Sequence, residues 1–307
     1  MWRRNMETLE NKTSNRLLSI SFIISSVLIA GALIYSAGLK STDVLKKEIK
    51  NGGTVASDFE EKIIPSNGVE LPIKWGDLGK QMIEAGVIDA SKFESIYSQR
   101  DGLTKEQKDF LYVKDNGNIV INSFNAGFVL NMFWALGLGN KNEILENGPM
   151  TDPKYGGAGR FASTGGWTLA NGDAMEHYSR HRFINLTPEQ QAIVERVSRG
   201  IYRPCCDNSV YFPDCNHGMA MLGFLELAAS QGFGENELYQ MALVLNSYWF
   251  PDTYLTIGKY FENKGIDWEK VSAKEVLGYN FSSGSGYQKI LAQIEPSQNK
   301  SGGGCGV

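Results

Sequence analysis

Asn216-His-Gly-Met-Ala-Met-Leu-Gly-Phe-Leu-Glu-Leu-Ala-Ala-Ser-Gln231 carries one formal charge, Glu226, in a run otherwise made of Met, Ala, Leu, Phe, Gly and small polar residues. A helix that is apolar all round has no solvent face, so this stretch predicts a central, buried helix of a mainly α domain. Pro213 forces the chain before it out of helix, and Asp214 or Asn216 can cap its start.

Immediately upstream, Arg203-Pro-Cys-Cys-Asp-Asn-Ser-Val-Tyr-Phe-Pro-Asp-Cys-Asn-His-Gly218 holds three of the four cysteines and one of the three histidines. Cys205, Cys206, Cys215 and His217 are thiolate and imidazole donors of the kind that hold soft or borderline metals, copper or zinc, and the same thiols can pair as disulfides. Cys215 and His217 fall at the first turn of the central helix, where unpaired amides and the macrodipole favour a thiolate. Two helical positions at about 100° each would point roughly 200° apart, so joint chelation requires Cys215 to lie before the helix proper.

A second, weaker set precedes this one. In Asp173-Ala-Met-Glu-His177-Tyr-Ser-Arg-His181, a helical conformation would align Asp173, His177 and His181 at i, i+4 and i+8, a spacing that presents two imidazoles to one ion. Glu176 lacks the His-Glu-x-x-His spacing of a zinc protease. The remaining cysteine, Cys305, sits in the tail Ser301-Gly-Gly-Gly-Cys-Gly-Val307, where a structural thiol has no core to join. It is a candidate shuttle or redox thiol, since the Gly-rich segment from Glu295 reaches about 17–19 Å on average.

The rest of the chain sets the context. Residues 1–16 are polar, and Leu17–Leu39 is an uncharged run whose helical length of roughly 34 Å would cross a hydrocarbon core of about 30 Å. It reads as an uncleaved transmembrane anchor; a cleaved signal peptide ending near Ser36-Ala37-Gly38 is the rival. Arg3, Arg4, Lys12 and Arg16 precede it and Lys40, Lys46, Lys47 and Lys50 follow it, a balance leaning toward an extracytoplasmic C-terminal domain. Residues 40–66 read as a charged stalk or short helix, 67–296 as one helical globular domain, and 297–307 as a flexible tail.

Asn116–Asn140 is also uncharged, but its apolar core Phe124–Leu138 is too short for a span and predicts a buried helix. Helices are expected at Trp75–Ala85, Ala90–Ser98 and Thr104–Val113, and again after Thr187-Pro188, whose Gln190 completes a capping box. Two more, Asn236–Phe250 and Thr253–Asn263, are broken at Pro251, and a last one covers Tyr287–Ile294. Only Asn118–Asn122 reads as strand, so the fold has little or no sheet.

With 42% hydrophobic residues the chain can bury a sizeable core, and a net charge of −4 without a basic cluster argues against a nucleic-acid partner. No dinucleotide or P-loop spacing occurs, so no nucleotide cofactor is indicated. Three classes remain: an anchored metal-binding or metal-transferring protein, a thiol–disulfide oxidoreductase using Cys205, Cys206 and Cys305, or a disulfide-stapled interaction domain. The first two imply a metal-donor or redox partner protein.

Overall fold

The structure, a computed structural model, describes residues 58–294. The expected anchor at 17–39 and the expected flexible tail with Cys305 lie outside these residues. Helix α1 (Asp58–Ile63) is followed by β1 (Val69–Gly76), α2 (Leu78–Glu84), α3 (Ala90–Tyr97), α4 (Lys105–Tyr112) and β2 (Asn116–Ile121). Then come α5 (Ala126–Gly139), α6 (Glu143–Asn147), α7 (Ala162–Gly165), α8 (Pro188–Gly200) and α9 (Asn216–Ser230). The chain continues through α10 (Glu235–Trp249), α11 (Pro251–Asn263), α12 (Ala273–Val276), α13 (Tyr279–Ser282) and α14 (Gly284–Ile294). The domain is mainly α, as expected, and among the described residues no helix is long and apolar enough to cross a membrane.

The two uncharged stretches form the centre. Every residue of α5 but Gly127 is buried, and so is every residue of α9 from Gly218 to Ala229. They pack in unusually close contact because glycines face each other at the crossing. A Cβ on Gly223 would lie 2.6 Å from the Gly137 nitrogen and would collide with the Phe133 carbonyl, and one on Gly137 would collide with the Met219 carbonyl. Backbone meets backbone, which only glycine permits.

The sheet is where sequence and structure part. β1 and β2 form a two-stranded antiparallel sheet with Val69 opposite Ile121, Leu71 opposite Ile119 and Gly76 opposite Asn116. Leu71, Ile73 and Trp75 alternate inward, so Trp75 belongs to a strand and its helix begins only at Leu78. The register shifts between Leu71 and Lys74, around Pro72, which has no amide to donate. The Trp75 indole donates to the Phe110 carbonyl at 2.9 Å, locking the sheet onto α4.

Both expected capping boxes are present: Thr104 with Gln107 opens α4, and Thr187 with Gln190 opens α8. Residues 58–63, within the expected stalk, form α1, whose Ile63 is buried in the core and whose Phe59 and Ile63 fill the space a side chain at Gly258 would need.

Candidate metal centre

The cysteine segment is a hairpin pinned on two sides. After α8 the chain turns back on itself: the Val210 amide donates to Ile201 O at 2.8 Å, and Tyr202 bridges to Ser209. On one side the Tyr202 amide donates to Leu277 O, and the Gly284 amide to Cys206 O, each at 2.8 Å. The Asp207 carboxylate accepts from the Ser285 amide at 2.8 Å, which holds Asp207 below the usual carboxylate range. On the other side Phe212 packs against Tyr155 and Phe161 at 5.3 Å between ring centroids, and the Ser163 amide donates to Asp214 O. These ties fix three thiols in place without any bond between them.

Cys215, not Asp214 or Asn216, is the N-cap of α9. Its backbone is extended (φ −117°, ψ 165°) and its sulfur accepts the Gly218 amide at 3.4 Å. Cys215 therefore lies before the helix proper, which is the condition for it and His217 to face one point. Cys205 Sγ is 3.6 Å from Cys215 Sγ. The ligand atoms of Cys205, Cys215 and His217 all lie within 4.8 Å of one another, and so do those of Cys206, Asp214 and Cys215. These five residues are close enough to hold a metal ion.

The imidazole of His217 is oriented by its neighbours. Its Nδ1 is 3.0 Å from Asn216 Oδ1, an acceptor, so Nδ1 carries the proton and Nε2 keeps a free lone pair. The ring lies against Phe250 at 4.3 Å and Trp249 at 6.2 Å. Trp249 and Phe250 thus form a wall of the site. A metal-bound histidine ordinarily donates its other ring proton to an oxygen in this way.

Arg203 sits at the middle of the cluster, fully buried. Its Nη2 donates to Asp214 Oδ1 at 2.6 Å, to Cys206 Sγ at 3.2 Å and to Phe212 O at 3.3 Å. The guanidinium runs under the start of α9, where a Cβ on Gly218 would come within 2.8 Å of its carbon. Nε and Nη1 have no hydrogen-bond partner. A buried cation with two unmet donors is costly unless anions surround it. Here burial works against the charge, and the thiols of Cys215 and Cys206, then Asp214, support it.

Nη2 contacts Cys206 and Asp214 directly, so this guanidinium is a cation already seated beside the second group, and it has no hydrogen bond to Cys205 or His217 among those it makes.

The three thiols are unequal. Hydrogen bonds from Cys205 and Cys206, with the Arg203 charge, hold Cys215 well below the usual thiol range despite its burial. Hydrogen bonding to Cys206 and Cys215, together with burial, pushes Cys205 up. Cys215 is thus the first thiolate, while Cys205 and Cys206 are both held up. For Asp214, burial pushes the carboxyl up against the pull of Arg203. Asn208 holds its second oxygen at 2.8 Å.

The second histidine set takes a different form from a helix face. A short 3₁₀ turn covers only Ala174–Glu176, Ser179 adopts a left-handed conformation (φ 51°), and His181 bridges to Asn140. His177 Nε2 donates to Asn171 O at 2.8 Å, so its Nδ1 accepts from His181 Nε2 at 3.1 Å. Burial and the neighbouring His177 and Arg180 push His181 down, keeping it neutral. The Asp173 carboxylate caps the turn through the Met175 amide at 2.8 Å. Among the described residues, Asp173, His177 and His181 do not converge as a three-ligand group.

Arg203 and Asp214 are the site residues that sequence reasoning passed over as chemistry. The available signal was a lone arginine beside paired cysteines with an aspartate next to the third. Comparison with known protein families, with curated proteins and with solved structures finds no match for this chain.

Proposed function

We propose that this protein is a membrane-anchored, extracytoplasmic protein that binds or transfers a thiophilic metal ion, zinc or copper, through Cys205, Cys215 and His217. The observation that carries the reading is the convergence of two thiols and one oriented imidazole at the start of a buried helix. The donor set fits such an ion. Zinc–sulfur bonds of about 2.3 Å at a tetrahedral angle place two sulfurs about 3.8 Å apart, and the Cys205–Cys215 separation is 3.6 Å.

A linear two-thiolate copper site would need the sulfurs further apart, so the spacing favours trigonal or tetrahedral geometry with a fourth position open. An open position suits exchange of the ion with a donor or acceptor protein. Cys305 on its glycine tail is an in-chain candidate for entering it. The anchor rests on the uncharged run 17–39 and the extracytoplasmic placement on the arginines before it.

The test is equilibrium metal binding by the reduced, detergent-solubilised full chain, with zinc and with cuprous ion in competition against a chromophoric chelator. One ion per chain is expected. Cys215→Ser and His217→Ala each weaken binding by about 10–100-fold or more, and His177→Ala leaves it unchanged. Equal loss from His177→Ala, or no binding at all, would overturn the proposal.

A further inference from the structure

The three thiols of the hairpin are not interchangeable, and their geometry selects one pair for covalent chemistry. Cys205 Sγ and Cys215 Sγ face each other at 3.6 Å with no bond between them. Cys206 Sγ is instead turned to the Arg203 guanidinium at 3.2 Å. Cys215 caps a long helix and its sulfur already accepts the Gly218 amide, the setting in which a thiol ionises and attacks. All three cysteines are partly exposed residues.

We infer that Cys205 and Cys215 form a reversible disulfide by exchange with low-molecular-weight disulfides, and that this bond and the metal ion exclude each other. The exchange runs in two displacements. The Cys215 thiolate attacks one sulfur of a disulfide R–S–S–R, forming Cys215–S–S–R and releasing RS⁻. The Cys205 thiol gives its proton to that RS⁻, and its sulfur then displaces the second RS⁻ from Cys215, closing the Cys205–Cys215 bond. The protein loses two electrons and one proton, and R–S–S–R becomes RS⁻ and RSH.

Starting from the metal-bound form, the two thiolates are consumed together and the ion departs as 2 RS⁻ form. His217 alone remains of the three ligands and cannot hold it. Reduction by a thiol restores both ligands, so occupancy follows the thiol–disulfide balance outside the membrane. The competing pair, Cys205–Cys206, is disfavoured because Cys206 Sγ is engaged by the Arg203 guanidinium at 3.2 Å, whereas the Cys205 and Cys215 sulfurs face each other at 3.6 Å.

The gating half of this inference rests on the metal reading, and the pairing half does not. The experiment uses the full chain carrying Cys305→Ser, treated with oxidised glutathione with and without prior zinc loading, then alkylated and digested on the N-terminal side of Asp207 and Asp214 under non-reducing conditions. That digestion separates Cys205 and Cys206 from Cys215, and mass spectrometry of the linked peptides reads the bond.

A disulfide that survives Cys206→Ser and is lost in Cys205→Ser, with the latter stopping at a glutathione adduct on Cys215, is the expected result. Zinc release of one ion per disulfide formed is expected from the loaded protein. A bond through Cys206, or a Cys205–Cys215 bond formed while zinc stays bound, would overturn the inference. A reduced chain that takes up neither zinc nor cuprous ion would refute the metal reading and the gating with it, while the peptide map still decides the pairing.

Discussion

Replacing Arg203 by methionine removes a fully buried guanidinium while keeping an apolar side chain of similar reach. Three contacts go with it: Asp214 Oδ1 at 2.6 Å, Cys206 Sγ at 3.2 Å and Phe212 O at 3.3 Å. Breaking a buried ion pair by deleting one partner costs about 3–5 kcal/mol, because the other charge is left uncompensated. Two features move this case to the lower end. The Asp214 side chain is 20% exposed and keeps its bond from Asn208, and the two unpartnered guanidinium nitrogens disappear with the arginine.

A loss of about 3 kcal/mol follows, and in a domain of this size each kcal/mol lowers the melting temperature by about 2–4 °C. Arg203→Met is therefore expected to melt about 6–12 °C below wild type when both are reduced and metal-free. The double variant Arg203→Met/Asp214→Asn removes both charges and should recover about 2 kcal/mol of the loss, a coupling that thermal or urea unfolding of the four proteins measures. A single-variant loss under about 1 kcal/mol, or strict additivity in the double variant, would refute the assignment of Arg203 as the cation on which the cluster is built.

Two further outcomes are expected. Glu226 is fully buried in α9, with Asn140 donating to one of its oxygens at 3.0 Å, and burial holds its carboxyl well above the usual 4.5. The folded state therefore binds a proton that the unfolded chain releases above 4.5. The stability this confers is complete below that value and falls by about 1.4 kcal/mol per pH unit as the pH rises toward the folded value. Glu226→Gln should thus unfold in urea near wild type at pH 5 and outlast it increasingly toward pH 8; parallel pH profiles would contradict this. Gly223→Ala forces α5 and α9 apart at their backbone contact and should cost about 2 kcal/mol or more, whereas Gly127→Ala, which meets nothing within 4 Å, should be neutral or stabilise by up to about 1 kcal/mol. Calorimetry of the two variants gives the comparison, and equal effects would show that the crossing is not limiting.

What could be read in the sequence was what local pattern controls. The uncharged runs gave both central helices, and Thr104/Gln107 and Thr187/Gln190 gave helix starts, because capping needs only residues three apart. The strand β1 was hidden by Pro72 inside its alternation and by a partner strand far along the chain, a pairing that no local window contains. The histidine pair was misplaced for a comparable reason. Nothing in Asp173–His181 announces the left-handed Ser179 that breaks the helix, since its conformation follows from tertiary bonds to Leu138 and Asn142.

At the candidate metal centre the donor types and their density were legible, and so was the need for Cys215 to precede the helix. Arg203 was not, because an arginine becomes a buried counter-charge only through what surrounds it, here the space left by Gly218 and the anions of a hairpin closed on itself.

The most direct test of the central claim is X-ray absorption at the zinc edge of the reduced, zinc-loaded protein, wild type beside Cys215→Ser. The wild-type spectrum is expected to show two sulfurs at about 2.3 Å and one imidazole nitrogen at about 2.0–2.1 Å, with one sulfur lost in the variant. A shell of nitrogen and oxygen only, or a sulfur count that Cys215→Ser leaves unchanged, would contradict a metal centre built on Cys205, Cys215 and His217.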